Sequence, residues 1–336
     1  MRLVTLAALL LSAPSSFAVT NDVSAISKLD LDETITVSGL SSGAYMAGQY
    51  HQAFASQVKG VAMLAGGPVY CAQNSLGLAL EHCFNKYTSA PDLAVIEQYL
   101  TAARETDKLA PLSAQADDKV WILNGTEDKT VQPKLGALLY QQYQRWVKPE
   151  NIVFVDDKAF AHTFPTDRND LGNCSQSESP YLASCNYDAA GTLLNHLIGD
   201  IKPKAATTTG ELVEINQHQL SKAATTTLAK TGYLYIPQRC AAGEPCQLHV
   251  SFHGCKQNAD NVGDAYTTGT GLNNYADTNN IVILYPQTQA SNINPFNPNA
   301  CWDWWGYTGA DYATTNGPQL QAVHQLVQAL LRGPKQ

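Results

Sequence analysis

The sequence predicts an α/β fold, a single domain in which a mostly parallel central sheet is flanked by helices. Three observations support this prediction. Short apolar runs of strand type alternate along the chain with longer segments of helical period, which is typical of parallel sheets. The first strand, 34–38, leads through a glycine-serine turn directly into a helix. The last helix, 318–331, repeats apolar residues with a 3.6-residue period and ends before Gly333-Pro334.

The remaining elements follow from the same periodicities. Strands are expected at 34–38, 61–65, 120–123, 152–155, 233–236, 248–252 and 281–285. Helices are expected at 43–56, 92–106, 133–146, 188–199, 260–278 and 318–331. The stretch 202–210 has the composition of a linker. Neither half of the chain would hold a complete sheet by itself, so we interpret this stretch as a connector inside one domain.

Residues 1–18 have the features of a secretory signal peptide. Arg2 supplies a positive charge, 3–11 is apolar, and Ser16-Phe17-Ala18 is a small-x-small cleavage site. The alternative is a membrane anchor, but the apolar run is shorter than the roughly 20 residues that cross a bilayer. We therefore expect a secreted mature chain, 19–336, that forms the catalytic domain, with retention in the periplasm left open.

The eight cysteines all lie in the predicted mature chain. An even number of cysteines in an exported protein indicates disulfides. No C-x-x-C occurs, and the cysteines do not alternate with histidines at zinc spacing, so we expect no metal site. Sequential pairing predicts the bonds Cys71–Cys83, Cys174–Cys185, Cys240–Cys246 and Cys255–Cys301, because the first three of these would close short local loops.

The charge composition limits the classes of partner. The formal net charge is −8, and charged residues make up only 15% of the chain. Such a surface has little attraction for nucleic acid or for anionic membranes, so neither is expected as a partner. A surface poor in charge suits a neutral substrate. We also expect the protein to be a monomer.

The pentapeptide Gly39-Leu40-Ser41-Ser42-Gly43 has the G-x-S-x-G pattern of a nucleophile elbow. In such an elbow, the serine occupies a sharp strand-to-helix turn, and the glycines remove side chains that would clash. The alternative is an ordinary turn serine, because the short pattern is weak by itself. Its position close to the start of the mature chain is unusual, since several strands normally precede an elbow.

Two further residues stand where the partners of a nucleophilic serine belong. Asp128 follows the strand 120–123, and His162 follows the strand 152–155. A histidine must remove the serine proton, and a carboxylate orients that histidine. The order serine, acid, histidine is the order of α/β-hydrolases. Glu127 is the competing acid, and we favour Asp128.

The segment His253-Gly254-Cys255 follows the strand 248–252 and has the H-G pattern of an oxyanion loop. The backbone N–H groups of Ser42 and Cys255 are then the expected oxyanion donors. In α/β-hydrolases this loop precedes the nucleophile, whereas here it follows it. The simplest explanation is a circular permutation in which 202–210 joins the original chain ends.

Together these segments resemble secreted poly(3-hydroxybutyrate) depolymerases of the circularly permuted, single-domain type, which belong to the α/β-hydrolase superfamily. The resemblance rests on the segments around Ser41, Asp128, His162 and Cys255 and on the aromatic segment 301–307. It implies a serine esterase that uses the same triad and oxyanion donors on a polyester polymer or its oligomers. It also implies that no metal or organic cofactor is needed.

The aromatic segment Cys301-Trp302-Asp303-Trp304-Trp305-Gly306-Tyr307 holds three of the five tryptophans. Aromatic side chains offer rigid apolar area with a polar edge, which suits a groove for ester and methyl groups. We expect Trp305 to line the substrate site, with Trp302 as the second candidate and Tyr307 beside them. A buried aromatic cluster is the alternative for each.

Two other functions remain open from the sequence. A secreted feruloyl or acetylxylan esterase would use the same triad on plant polysaccharide esters. A surface-binding protein without catalytic activity could keep the fold, although the complete serine, aspartate and histidine set argues against it.

Overall fold

The computed structural model describes Ile26, residues 28–84 and residues 86–332. The predicted signal peptide lies outside the described residues. The described chain contains an eight-stranded sheet of order β4-β3-β2-β1-β10-β11-β9-β8 and a small sheet of order β5-β7-β6. The strands are β1 (Asp30–Leu40), β2 (Val58–Leu64), β3 (Lys119–Leu123), β4 (Ile152–Val155), β5 (Phe164–Thr166), β6 (Gly172–Asn173), β7 (Leu182–Ser184), β8 (Glu211–Asn216), β9 (Thr231–Ile236), β10 (Pro245–Phe252) and β11 (Ile281–Tyr285).

The helices connect the strands and cover both faces of the large sheet. Within the described ranges, no helix has the length and apolar character needed to span a bilayer. The helices are α1 (Ser42–Phe54), α2 (Leu76–His82), α3 (Leu93–Glu105), α4 (Pro133–Tyr143), α5 (Ala189–Ile198), α6 (Gln217–Leu220), α7 (Gln238–Ala241), α8 (Ala259–Val262), α9 (Ala265–Gly269), α10 (Leu272–Asn279) and α11 (Pro318–Leu331).

The large sheet is mostly parallel, as the sequence predicts. The six strands from β4 to β11 in the spatial order run parallel, whereas β9 is antiparallel to β11 and β8 is antiparallel to β9. Parallel strands are covered on both faces, which explains why they appear in the sequence as continuous apolar runs. All seven predicted strands are present in this sheet.

β1 lies in the middle of the sheet, between β2 and β10. Gly39 pairs with Phe252 of β10, and Leu40 pairs with Leu64 of β2. Loops that follow parallel strands emerge at this carboxyl edge, where open α/β sheets bind their ligands. β10 comes late in the chain and adjoins the first strand, as a permuted order requires. The permutation itself stays a prediction.

The core consists of one apolar layer on each face of the sheet, and β2 contributes to both. Val61 packs into a cluster that includes Tyr50 of α1. The next residue, Ala62, packs into a second cluster that includes Leu193 of α5. Successive side chains of a strand point to opposite faces, so one buried strand supplies both layers.

One predicted helix is wrong as a single element. The segment 260–278 contains parts of three short helices, α8, α9 and α10, instead of one long helix. Gly263 and Gly271 interrupt it with φ angles of 62° and 84°. Helical residues have negative φ, so each of these glycines ends a helix. The sequence analysis also did not predict α2 or β8.

The connector 202–210 is fastened to α10 by hydrogen bonds. The Ala205 N–H donates to Asn274 O at 2.9 Å, and the Gly210 N–H donates to Asp277 Oδ1 at 3.1 Å. The chain then continues into β8. That this segment joins the original ends of a permuted chain stays a prediction.

The predicted sequential pairing of the cysteines is confirmed. Cys240–Cys246 joins α7 to β10, the other three bonds join residues of irregular segments, and the described chain has no free cysteine. The bonds are Cys71–Cys83, Cys174–Cys185, Cys240–Cys246 and Cys255–Cys301.

Candidate active site

Ser41 occupies a strained turn between the end of β1 and the start of α1. Its φ is 58° and its ψ is −121°, a conformation that residues with a side chain rarely adopt. The Ser41 N–H donates to Leu64 O at 2.9 Å, and the Ser41 carbonyl accepts from the Ala44 N–H at 2.8 Å. These bonds to β2 and α1 hold the serine at the carboxyl edge of the sheet.

The two glycines of the pentapeptide permit this turn through close backbone contacts. A Cβ atom at position 39 would lie 2.1 Å from Gly43 O. A Cβ atom at position 43 would lie 2.2 Å from Phe252 O at the end of β10. The G-x-S-x-G pattern therefore has a steric cause on both sides of the serine.

Asp128 and His162 form a buried, hydrogen-bonded pair. The His162 Nδ1 lies 2.7 Å from Asp128 Oδ2, and the two residues are 6% and 3% exposed. The other carboxylate oxygen, Oδ1, accepts from the N–H groups of Thr130 and Val131 at 2.8 and 2.9 Å. A carboxylate only accepts, so Nδ1 carries the hydrogen, and Nε2 keeps a lone pair for a proton.

Glu127, the competing acid, is exposed on the surface, whereas Asp128 beside it is buried against the imidazole. The loops after β3 and β4 are joined directly, since the Thr126 N–H donates to Lys158 O at 2.7 Å. This contact aligns the acid with the histidine. The geometry favours Asp128 as the partner of His162.

The loop after β10 lies against the serine. A Cβ atom at Gly254 would be 3.4 Å from Ser41 Cβ. Ser42 is the first residue of α1, where backbone N–H groups have no acceptor within the helix. The N–H of Cys255 has no hydrogen-bond acceptor in the part of the chain that the structure describes. Both predicted oxyanion donors are thus available close to Ser41.

A crevice with a volume of about 330 Å³ lies at this edge of the sheet. Ser41, His162, Gly254 and Cys255 line it. The walls are largely apolar and come from two regions, α2 with the residues after it and the segment 296–305. The large apolar residues of the walls are Leu76, Leu80, Phe84, Phe296, Trp304 and Trp305.

No group of three or more histidine, cysteine, aspartate or glutamate side chains that could hold a metal ion occurs in residues 28–84 and 86–332.

Comparison with known proteins identifies the family. A family model described as esterase PHB depolymerase matches residues 231–333. The polyhydroxybutyrate depolymerase of Talaromyces funiculosus is 34% identical over 313 residues, which cover 89% of this chain and 90% of that protein. This chain belongs to the PHB depolymerase family. The poly(3-hydroxybutyrate) depolymerase of Delftia acidovorans is 39% identical over 312 residues, covering 91% of this chain. The chain spans 61% of the length of that relative.

Solved PHB depolymerase structures share the fold. The crystal structure of the enzyme from Penicillium funiculosum matches with a TM-score of 0.86 and 32% identity, covering 92% of this chain and 99% of that chain. A structure of a PHB depolymerase variant complexed with an R3HB trimer matches with a TM-score of 0.85 and 31% identity, with the same coverage. The family assignment therefore agrees with the architecture over nearly the whole described chain.

Two of the three aromatic residues that the sequence predicted at the substrate site do not line the crevice. Trp302 is fully buried and packs against Phe252, with ring centroids 5.0 Å apart, so it does not line the crevice. The Tyr307 hydroxyl donates to Cys301 O at 2.9 Å and accepts from Gln319 Nε2 at 2.8 Å, which gives it a structural place behind the wall. Trp305 lines the crevice as expected.

Sequence reasoning missed Trp304 and the apolar residues of α2. Trp304 stacks on Tyr45 at 5.1 Å between ring centroids, and the Tyr45 hydroxyl donates to Cys83 O at 2.8 Å. Burial, with a smaller contribution from the Asp128 charge, raises the pKa of Tyr45, so this hydroxyl stays a donor. The sequence signal for the apolar wall was the pair Leu76 and Leu80, which are four residues apart inside the loop that the bond Cys71–Cys83 closes.

Proposed function

We propose that this protein is a serine esterase that hydrolyses poly(3-hydroxybutyrate) and its oligomers through an acyl-enzyme. The observation that carries the proposal is that Ser41 and His162, which is paired with Asp128, line the same apolar crevice. The family membership supports the substrate class, because the curated relatives are depolymerases of this polyester. A chain of neutral esters with methyl branches suits apolar walls.

In the proposed reaction, the Ser41 hydroxyl oxygen attacks the ester carbonyl carbon, and its proton passes to His162 Nε2. Asp128 keeps the imidazole in the required tautomer and stabilises the imidazolium. The negative oxygen of the tetrahedral intermediate accepts from the N–H groups of Ser42 and Cys255. When the intermediate collapses, the ester C–O bond breaks, and the leaving oxygen takes the proton from His162.

The second half of the reaction repeats these steps with water. His162 removes a proton from the water, whose oxygen attacks the acyl carbon. The bond to Ser41 then breaks, and the serine oxygen recovers the proton. The product is a hydroxy acid, the monomer or a short oligomer.

The mouth of the crevice supports action on a solid polymer. Leu76, Leu80 and Phe296 line the crevice and are 48%, 38% and 57% exposed. Ile293, three residues before Phe296, is 89% exposed. Exposed apolar patches of this kind mark binding surfaces, here for a polyester surface. Trp304 and Trp305 would hold the chain segment inside the crevice.

We place the protein outside the cytoplasm, secreted or periplasmic, because its four disulfides persist in oxidising compartments. Action as a monomer is part of the proposal, and light scattering of the purified protein would test it.

Ser41→Ala tests the proposed function. We expect the variant to lose roughly 10⁴-fold or more in kcat on p-nitrophenyl butyrate and on 3-hydroxybutyrate trimer. It should also lose labelling by a fluorophosphonate. Ser113→Ala, at an exposed serine, is the control and should behave as the unmodified enzyme. Substantial turnover by folded Ser41→Ala would disprove the assignment. Release of ferulate or acetate from xylan, without release of 3-hydroxybutyrate from film, would indicate the polysaccharide-esterase alternative.

A further inference from the structure

We infer that His253 is a positioning residue for ester hydrolysis, because it holds the peptide group whose N–H end, at Cys255, donates to the oxyanion. The inference rests on the proposed function. It adds to the reaction a buried side chain that does not line the crevice and does not belong to the triad.

The peptide group between Gly254 and Cys255 is fixed through its carbonyl oxygen. Gly254 O accepts from His253 Nδ1 at 2.7 Å and from the Gln257 N–H at 3.3 Å. In a trans peptide group, the C=O and the following N–H point in opposite directions. Two bonds that hold Gly254 O therefore also fix the direction of the Cys255 N–H.

Such a hold is needed at this position because the peptide group follows a glycine. Glycine crosses between backbone conformations at little cost, so a peptide group next to it can rotate. Rotation would exchange the proposed oxyanion donor for a carbonyl oxygen, which would repel a negatively charged oxygen. The geometry thus makes the oxyanion donor depend on what holds Gly254 O.

His253 itself is fixed in one orientation and one tautomer. Its side chain is fully buried, and its Nε2 accepts from the Thr288 N–H at 3.2 Å. The Thr288 hydroxyl in turn donates to Ala300 O at 2.6 Å. Burial lowers the pKa of His253 to about 4, so the ring is neutral at pH 7 with its hydrogen on Nδ1. Each ring nitrogen thus has a separate task.

The neighbouring peptide groups are held as well. The Gly254 N–H donates to Gln257 Oε1 at 2.7 Å, and Gln257 Nε2 donates to Pro180 O at 2.9 Å. The bond Cys255–Cys301 fastens the other side of the loop. These contacts fix the ends of the loop, and the imidazole supplies the shorter of the two bonds to Gly254 O.

Two isosteric substitutions separate the two tasks of the ring. In His253→Asn, the amide nitrogen takes the place of Nδ1 and still donates to Gly254 O, while the contact with the Thr288 N–H is lost. In His253→Gln, the terminal amide takes the place of Nε2 and can still accept from Thr288, while the donor to Gly254 O is lost. The pair therefore differs in the contact that matters for the oxyanion.

We expect kcat of His253→Gln on p-nitrophenyl butyrate to fall by about 10²-fold or more, since losing one oxyanion donor costs about 10²–10³-fold. KM should change by less than about threefold, because the bond forms only in the transition state. Affinity for an alkyl boronic acid, which forms a tetrahedral adduct, should fall with kcat. His253→Asn should recover most of the loss.

His249→Asn is the matched control. His249 lies on β10 and, like His253, is fully buried. Its ring nitrogens form hydrogen bonds with Thr36 Oγ1 at 2.7 Å and Ser38 Oγ at 2.8 Å. We expect it to lower the melting temperature without changing kcat per folded molecule, measured after titration with a fluorophosphonate. Equal kcat values in the two His253 variants, or an equal loss in the His249 variant, would overturn the inference and leave the role of Ser41 untouched. Activity in Ser41→Ala would instead defeat the proposed function.

Discussion

Replacing Gly43 with alanine tests whether the nucleophile turn and the oxyanion loop depend on one backbone contact. The added Cβ atom would lie 2.2 Å from Phe252 O and 2.5 Å from His253 O. Real Cβ atoms keep at least 3.0 Å from such neighbours, so α1 and the end of β10 must separate by about 0.8 Å, the difference between 3.0 and 2.2 Å. Both neighbouring atoms belong to the backbone, so no flexible side chain can yield instead.

The expected magnitude follows from where this displacement occurs. Phe252 and His253 lead directly into Gly254 and Cys255, so the separation moves the proposed donor at Cys255 away from the serine. A displacement of about 1 Å in a catalytic arrangement can cost about 10²-fold in rate. Overpacking of this kind also costs about 1–3 kcal/mol of stability. We therefore expect kcat to fall about 10²-fold and the free energy of unfolding to fall by about 1–3 kcal/mol.

The assay is steady-state hydrolysis of p-nitrophenyl butyrate, combined with urea unfolding. Gly77→Ala is the control, because a Cβ atom there meets only Ser75 Oγ, at 3.6 Å, on exposed helix α2. That substitution should leave kcat unchanged and raise stability by up to about 1 kcal/mol. If Gly43→Ala keeps kcat within about threefold of the unmodified enzyme, the proposed dependence of the two catalytic segments on this contact is refuted.

Two further predictions concern the acid and the polymer surface. Asp128→Asn should lower kcat by about 10⁴-fold, because an amide cannot stabilise the imidazolium, while the exposed Glu127→Gln should change it by less than about threefold; the opposite result would make Glu127 the acid. Ile293→Thr should weaken binding to polymer film by about tenfold, since burying a large apolar side chain contributes about 1.5–3 kcal/mol, without affecting hydrolysis of a soluble ester. Val95→Thr, at an exposed valine that does not line the crevice, is the control, and equal film binding by the unmodified enzyme and the two variants would exclude a role for Ile293.

The sequence predicted the sheet, and it grouped the three residues of the proposed triad, because both depend on local signals. A strand covered on both faces is a continuous apolar run, and all seven such runs are strands. A residue just after a parallel strand must emerge at the carboxyl edge, so Ser41, Asp128 and His162 could be grouped without knowing the contacts between their loops. The same reasoning identified the loop after β10.

The walls of the crevice could not be predicted in this way because long-range contacts decide which aromatic side chain is buried. Trp302 and Trp304 are only two residues apart in an irregular segment, so no helical or strand period assigns them to a face. The backbone N–H of Trp302 donates to Ser42 Oγ at 3.3 Å, and the Trp302 ring packs against the Phe252 ring. These contacts join residues about 260 and 50 positions apart in the chain. They bury Trp302 beneath the turn that holds Ser41 and leave Trp304 and Trp305 to form the wall. The residue that supports this turn from behind therefore had the same sequence signal as the residues that face the crevice.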